Sequence, residues 1–410
     1  MSRTTLISAG LTLPLMLSAA LGQSRFATVY TFTSGPPLGL SHASGAFYLA
    51  IGGVGNITCG AISELLPPAS KGGTWTENTV HTFATAGGDA CGPTGAPVPG
   101  PSRALYGVSY GGGAYFSGGG TAYELQPPTS SGGAWTESVI YSFTALGQPG
   151  GDGGTPYGLI ASPSGSLYTP TSDGGIYENG SAFELTPPAA PGQAWTGAVL
   201  YSFPGGGPMG AITDSLAFGP GGVLYGANQL GAAQDSGTIF ELFPPTTPGG
   251  AWTETTLYTF QGFADGAVPN DVILGPGGVL YGTTMGTTSV SNNGAGTVFQ
   301  LTPPTTPGAP WTKTILKSFG HNFNCGPDSP LVLRNGGIYG AACLSAGGVV
   351  FKLDPPSSSG GAWTYTALHT FTDGQVPAGG IVVTKDGRIY GTTINPANMQ
   401  PGGTVYEIVP

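Results

Sequence analysis

Charged residues are scarce in this sequence, and basic residues are the scarcest. Of 410 residues, 10 are Lys or Arg and 20 are Asp or Glu, so 7% are charged and the net charge is −10. An ordinary soluble domain is about 25% charged. Because no basic stripe is present to neutralise phosphates, we do not expect nucleic-acid binding, and an anionic membrane surface would repel the chain.

Long apolar runs are absent after residue 22, where no stretch reaches the ~18 apolar residues of a spanning helix. Residues 1–22 are different, since Arg3 precedes the apolar core LISAGLTLPLMLSAAL and small residues stand at 20 and 22. This pattern is typical of a signal peptide. The alternative is a retained membrane helix, but the run is short and is interrupted by Gly and Pro. We predict cleavage before Gln23 and a secreted, periplasmic or cell-surface protein without membrane insertion.

Cysteine is rare too, with four in the chain. An even number in an exported chain indicates two disulfides. No CxxC pair occurs, so the spacing gives little support for a zinc site. Three pairings are open, and the one with short spans joins Cys59 to Cys91 and Cys325 to Cys343.

Glycine (75) and proline (38) are abundant, and they follow a repeat of 52–60 residues. A Pro-Pro pair is followed seven residues later by Trp and eight residues after that by Phe. This segment occurs six times, with its tryptophans at Trp75, Trp135, Trp195, Trp252, Trp311 and Trp363. An LYG-type segment and an FEL-type segment each occur seven times, so the Trp-to-Phe segment is one short.

Each repeat predicts four short strands. In 261–319 they are DVIL, VLYGTT, TVFQL and WTKTILKSF, bounded by Gly, Pro and Ser clusters. A small four-stranded sheet with two apolar faces is not stable alone and must pack on its neighbours. Radial packing of such units forms a β-propeller.

The chain ends complement each other. Residues 372–410 contain three strands of a unit and lack the fourth, while ATVYTF at 27–32 is a fourth strand without its unit. We therefore predict an all-β fold, a seven-bladed β-propeller with four antiparallel strands per blade, whose last blade is closed by the N-terminal strand. It would be one domain over 23–410, and a monomer. The alternative, an open β-solenoid, would not need complementary fragments at its two ends.

The repeat text resembles the GloVer tandem-repeat family of bacterial exported proteins. The resemblance is clearest at 278–301 (GVLYGTTMGTTSVSNNGAGTVFQL) and 387–408 (GRIYGTTINPANMQPGGTVYEI), with DGxxP at 265–269 and 373–377. It implies an exported, propeller-like protein, and it brings no established activity or catalytic residues.

One face of such a ring would carry the loops between second and third strands together with the loops between blades. We call it the variable-loop face, because these loops differ most in sequence; the short first-hairpin turns and the Pro-Pro loops form the opposite face. All four cysteines map to the variable-loop face. Loops on one end of a rigid scaffold commonly bind ligands. We expect this face to recognise an extracellular glycan or protein.

Four aspartates on this face are candidate ligand-binding residues: Asp152, Asp265, Asp328 and Asp373. Carboxylates around the pore mouth could hold Ca²⁺ or contact a sugar hydroxyl. The alternative is turn chemistry, in which Asp before Gly caps its own backbone. No other cofactor is predicted.

No catalytic residues are identified. The strict register of the tryptophans favours packing between blades over sugar stacking. The glutamates of FEL are replaced by Gln300 and Lys352, which indicates solvated strand positions, and His81 and His369 are strand residues.

The preferred function is a secreted binding or surface-interaction protein. The alternatives are an enzyme acting on polysaccharide, as a hydrolase or lyase, and a structural component of the envelope or matrix.

Overall fold

The computed structural model describes residues 24–410 except for several short segments. These are 54–57, 86–87, 115–118, 131, 145–150, 191, 205–211, 231–235, 248, 287–295, 320–325, 328, 345–346, 359, 373 and 395–401, together with the side chains of 212–215. The predicted signal peptide lies outside the described residues. Within them, no helix is long and apolar enough to cross a membrane.

The described residues form seven small antiparallel sheets arranged in a ring, which we number as blades 1 to 7. The chain opens with β1 (Arg25–Phe32). Blade 1 follows with β2 (Pro37–Ala43), β3 (Ala46–Ile51), β4 (Ala61–Leu66) and β5 (Thr76–Thr82). Blade 2 contains β6 (Ala90–Pro99), β7 (Leu105–Gly112), β8 (Thr121–Gln126) and β9 (Thr136–Ser142). Blade 3 contains β10 (Gly154–Pro156), β11 (Ile160–Ala161), β12 (Leu167–Asp173), β13 (Ser181–Thr186) and β14 (Thr196–Ser202).

The remaining blades repeat the order. Blade 4 contains β15 (Ile212–Phe218), β16 (Leu224–Asn228), β17 (Thr238–Phe243) and β18 (Thr253–Thr259). Blade 5 contains β19 (Pro269–Leu274), β20 (Leu280–Thr284), β21 (Thr297–Thr302) and β22 (Thr312–Ser318). Blade 6 contains β23 (Val332–Arg334), β24 (Gly337–Leu344), β25 (Gly347–Asp354) and β26 (Thr364–Phe371). Blade 7 contains β27 (Val376–Val383), β28 (Ile389–Ile394) and β29 (Gly403–Val409). Short 3₁₀ turns lie at Pro101–Arg103, Pro220–Gly222, Phe263–Asp265 and Pro276–Gly278.

Burial along the strands explains their sequences. The second strand of blade 5, LYGTT, is buried at every residue because its sheet is covered on both sides. The fourth strand of that blade, TKTILKS, is exposed or half-buried throughout, since it forms the outer edge. The core therefore lies between the blades as seven separate apolar clusters among the described residues.

The inner strands converge so closely that glycine is required. A Cβ on Gly39 would lie 2.2 Å from the amide nitrogen of Ala96 in the next blade. Hydroxyls bond the same strands together: the Ser41 Oγ donates to the Pro97 carbonyl at 2.6 Å, and the Thr94 Oγ1 donates to the Pro156 carbonyl at 2.9 Å. The axis is thus held by backbone contact and hydrogen bonds rather than by large side chains.

Blade 3 departs from the regular pattern, because its inner strand is split into β10 and β11, each paired with β12. Gly158 between them has a positive φ of 59°, which interrupts the extended backbone. The Thr169 Oγ1 donates to the Gly158 carbonyl at 2.8 Å and holds the break in place.

The tryptophans pack between blades, as predicted. Trp195 of blade 3 lies edge-on to Tyr106 of blade 2, and Trp363 of blade 6 to Tyr281 of blade 5, each pair with ring centroids 5.7 Å apart.

The FEL glutamates also have a structural role that the sequence did not indicate. They accept hydrogen bonds from the LYG tyrosines of their own sheets: Tyr48 to Glu64, Tyr106 to Glu124, Tyr168 to Glu184 and Tyr390 to Glu407.

The N-terminal strand closes the last blade, as predicted. β1 runs antiparallel to β29, with Arg25 opposite Val409 and Phe32 opposite Gly403. Ser24 stands where other blades have Trp, and its Oγ donates to the Leu368 carbonyl of blade 6. The first described residues thus contact both the last strand and the preceding blade.

If β1 is a full member of the core, then Phe32→Ala should destabilise the protein as much as the same change in an internal blade. Phe32 is 5% exposed, and its counterpart Phe260 is 1% exposed. Each substitution should cost about 3–5 kcal/mol of unfolding free energy, as for other buried Phe→Ala changes. Urea unfolding of both variants checks this. A Phe32 variant as stable as the parent, beside a weakened Phe260 variant, would show that the strand is not docked.

Candidate functional site

A cavity of about 560 Å³ lies at the ring axis, lined by the inner parts of blades 1, 2, 3, 6 and 7. Its walls include Leu40, Val98, Leu159 and Ile381. None of the described residues that line it is charged. The cavity therefore offers apolar contact and backbone polar groups, and the described part of its wall supplies no acid or base.

The most exposed large apolar side chains of the described residues all lie on the variable-loop face. Tyr110 is 56%, Ile176 66%, Tyr177 50% and Phe263 60% exposed. Tyr110 lies near the end of the second strand of blade 2, Ile176 and Tyr177 lie in the loop after the second strand of blade 3, and Phe263 lies between blades 4 and 5. Exposed aromatic groups concentrated on one face are typical of an interaction surface.

Tyr110 is held in place by its neighbours. It lines the axial cavity, and its ring lies against Gly92, where a Cβ would come within 1.9 Å of the ring. The Gly92 N–H donates to the Cys59 carbonyl at 2.8 Å. The exposed ring is therefore set by a glycine that is itself bonded to the neighbouring blade.

Cys59 and Cys91 form a disulfide, as predicted, and it joins the loop of blade 1 to the inner strand of blade 2. Cys343 is also disulfide-bonded, at the end of the second strand of blade 6. Cys325, its predicted partner, lies outside the described residues. The described cross-link fastens two blades on the variable-loop face.

Asp152 caps the loop between blades 2 and 3. It accepts the backbone N–H of Thr144 at 2.8 Å, and the hydroxyls of Thr144 and Tyr141 also donate to it. This geometry matches the turn-capping interpretation. Asp328 and Asp373 lie outside the described residues, and ligand binding at these aspartates stays a prediction.

Asp265 has the same role between blades 4 and 5 and forms an ion pair as well. It accepts from the Tyr258 hydroxyl and the Gln261 N–H, both at 2.8 Å, and from the Lys313 ammonium of blade 5 at 2.7 Å. The Lys313 side chain is 4% exposed, and burial is the main cause that lowers its pKa, while Asp265 opposes that shift. Asp152 and Asp265 serve different blade junctions, and neither belongs to a three-ligand cluster within the described residues.

One cluster of metal-ligating side chains was not identified from the sequence. His81, Asp89 and Glu137 offer ligand atoms that all lie within 4.8 Å of one another, between blades 1 and 2. Burial, and secondarily the nearby Asp89 charge, raises the pKa of Glu137 to about 7. Aligning the repeats would have found this cluster. His81 stands where other repeats have Tyr or Lys, and Glu137 aligns with Lys313, the buried lysine of blade 5.

Known proteins share this architecture. A family model described as the Gloeobacter/Verrucomicrobia repeat matches residues 155–406, more than half of the chain. No curated protein matches the chain. A polysaccharide lyase, ulvan lyase, superposes with a TM-score of 0.59 at 11% identity, over 93% of this chain and 95% of the lyase. Puromycin hydrolase gives 0.54 at 15% identity, over 88% of this chain and 50% of the hydrolase, so the chain spans half the hydrolase length. At these identities the similarity shows the fold alone.

Asp265 neutralises a buried lysine and Asp152 does not. Asp152→Asn and Asp265→Asn should therefore lower the free energy of unfolding by different amounts. Loss of a charged acceptor at Asp152 should cost about 1.5 kcal/mol. The change at Asp265 should cost about 3 kcal/mol or more, since it leaves the Lys313 charge buried and unpaired. Urea unfolding at neutral pH measures both. Adding Lys313→Met to the Asp265 variant should restore most of the difference, and equal costs for the two single variants would contradict the assignment.

Proposed function

The chain belongs to the Gloeobacter/Verrucomicrobia repeat family, and from this premise we propose that it is an exported β-propeller that binds a glycan through its variable-loop face. The observation that carries the proposal is the concentration of exposed rings on that face, led by Tyr110 and Tyr177 on neighbouring blades.

Aromatic rings on a rigid frame suit a sugar ligand. A tyrosine ring offers an apolar face for the C–H side of a pyranose and a hydroxyl for hydrogen bonding. Around Tyr177 the loop supplies amide and carboxylate groups from Asn179, Glu178 and Asp173, which are suited to sugar hydroxyls. Because Tyr110 is already fixed against Gly92, little conformational entropy would be lost when a ligand binds.

Export is supported by two independent features. The first 22 residues have the charge, apolar core and small residues of a signal peptide. The Cys59–Cys91 disulfide is a type of cross-link that persists in oxidising compartments. We infer a location outside the cytoplasm, where glycans are accessible.

Binding is favoured over catalysis by the chemistry of the cavity. Glycoside hydrolysis ordinarily needs two carboxyl groups that face each other across the scissile bond. The described lining of the axial cavity supplies none. The exposed rings and the uncharged cavity are together better suited to retaining a ligand than to cleaving it.

The test uses the mature chain, residues 23–410, on a glycan array, followed by calorimetry with the saccharides that bind. Tyr110→Ala and Tyr177→Ala should each weaken binding about tenfold or more, close to 1.4 kcal/mol. Phe243→Ala is the matched control, because Phe243 is also an exposed ring, at 42%, but ends its strand on the opposite face. It should leave the affinity unchanged.

Three outcomes would overturn the proposal. Saccharide binding that survives both tyrosine changes would place the site elsewhere. Shortened saccharide products in the same mixtures would show an enzyme. Capture of an extracellular protein, with no saccharide bound on the array, would show a protein-recognition surface instead.

A further inference from the structure

Equivalent sequence positions meet at the described junctions between neighbouring blades. They are the second residue before the repeat Phe, a residue of the interblade loop, and the second residue after the repeat Trp of the next blade. Between blades 4 and 5 these are Tyr258, Asp265 and Lys313. Between blades 5 and 6, the Lys317 ammonium lies 4.3 Å from the Tyr365 ring centroid. We call this arrangement the junction site.

The junction site of blades 4 and 5 is occupied by a side-chain cation, the Lys313 ammonium. The Lys313 ammonium lies 2.7 Å from the Asp265 carboxylate and 4.6 Å and 5.8 Å from the ring centroids of Phe260 and Phe299. A carboxylate and ring faces together stabilise a positive charge away from water. The carboxylate and the two rings therefore form a cation-binding site.

The junction site of blades 1 and 2 repeats the frame with different ligands. Phe83 and Tyr123 lie at the two ring positions, 5.0 Å apart. His81 stands at the tyrosine position, Asp89 at the loop position, and Glu137 at the lysine position. The cation of the related junction is thus replaced by a second carboxylate.

Distances within this site suit coordination of one metal ion. The His81 Nε2 lies 3.5 Å from the Asp89 Oδ2, and the Glu137 carboxylate lies within 4.8 Å of both. Two ligands bound at zinc distances in tetrahedral geometry are about 3.4 Å apart. The Asp89 carboxylate is oriented by the N–H groups of Ala84 at 2.7 Å and Ala90 at 3.0 Å, as expected of a supported ligand.

Among the described residues, His81 is the only basic side chain that pairs with a carboxylate of this site. The His81 Nε2 and Glu137 Oε1 are buried without a hydrogen-bond partner. Within the part of the chain that the structure describes, no lysine or arginine forms an ion pair with Asp89 or Glu137. Buried polar atoms and paired carboxylates are costly unless a partner satisfies them. A divalent cation would satisfy both carboxylates and the imidazole.

We propose that His81, Asp89 and Glu137 bind one divalent transition-metal ion of the zinc class, which fastens blade 1 to blade 2 beside the Cys59–Cys91 disulfide. The inference is independent of glycan binding. One imidazole and two carboxylates suit zinc, whereas calcium prefers six to eight oxygen ligands. Three of the four cysteines are disulfide-bonded in the described structure and so do not offer thiolates to the metal.

The test begins with the mature chain stripped of metal by chelator. After equilibrium dialysis against zinc chloride, mass spectrometry of the metal should find one zinc per chain, and zinc should raise the melting temperature. Manganese should bind at the same site more weakly, in line with the order of divalent affinities. Calcium should neither bind nor stabilise.

The repeat itself supplies matched variants. Glu137→Lys places at this junction the residue that blade 5 carries, so it should fold, lose zinc binding at least 100-fold and no longer respond to zinc in melting. His81→Tyr, which places there the residue of blades 2, 3 and 4, should act likewise. Glu77→Gln is the control, since Glu77 occupies the same register in blade 1 but accepts from Ser63 at 2.7 Å. It should bind zinc as the parent does.

The proposal fails if the parent chain binds no zinc, or if Glu137→Lys and His81→Tyr bind it as the parent does. Zinc binding that is lost equally in Glu77→Gln would also overturn it, because the ion would then lie elsewhere. Calcium binding stronger than zinc binding would contradict the metal class. Circular dichroism on each variant shows whether a loss of binding is a loss of fold.

Discussion

Hydrogen bonding between the first and last strands is the interaction on which the rest of the structure depends. Each blade has two apolar faces, and a ring is the arrangement in which every face is covered by a neighbour. The seam is well packed: Tyr390 of blade 7 contacts Phe47 and Trp75 of blade 1, with ring centroids 4.6 Å and 5.8 Å away. An open ring would expose these faces.

A closed ring also explains how one repeat can carry different chemistry at each junction. The backbone frame brings equivalent strand positions together at the described junctions, and the side chains there vary from a lysine ion pair to a stacked Phe26–His369 pair with centroids 3.7 Å apart. Turns and packing residues are repeated because closure requires them. The loops of the variable-loop face differ most in sequence from one repeat to the next.

Much of the fold could be predicted because the same strand and turn sequences recur in each repeat. Spacing of Pro-Pro, Trp and Phe located the strands. The seven LYG-type and seven FEL-type segments predicted the blade number, and the unmatched strand at 27–32 predicted the closure. The break in the inner strand of blade 3 could not be predicted, because it depends on the Thr169 hydroxyl bonding to the Gly158 carbonyl across the sheet.

The site was less predictable, for a physical reason. Asp152 and Asp265 were recognisable as turn residues, but the ion pair with Lys313 joins positions 48 apart on two blades. His81, Asp89 and Glu137 are likewise brought together by blade packing, and no short motif contains them. Comparing register positions across neighbouring repeats, rather than within one, is the signal that finds such contacts.

Hydrogen–deuterium exchange of the intact mature chain, followed by mass spectrometry, tests ring closure most directly. If the ends are paired as β1 and β29, the amides of 25–32 and 403–409 should exchange together and as slowly as those of the internal strands, by global opening. Rapid exchange of both ends, at the rate of frayed termini and well ahead of the internal blades, would contradict the closed ring.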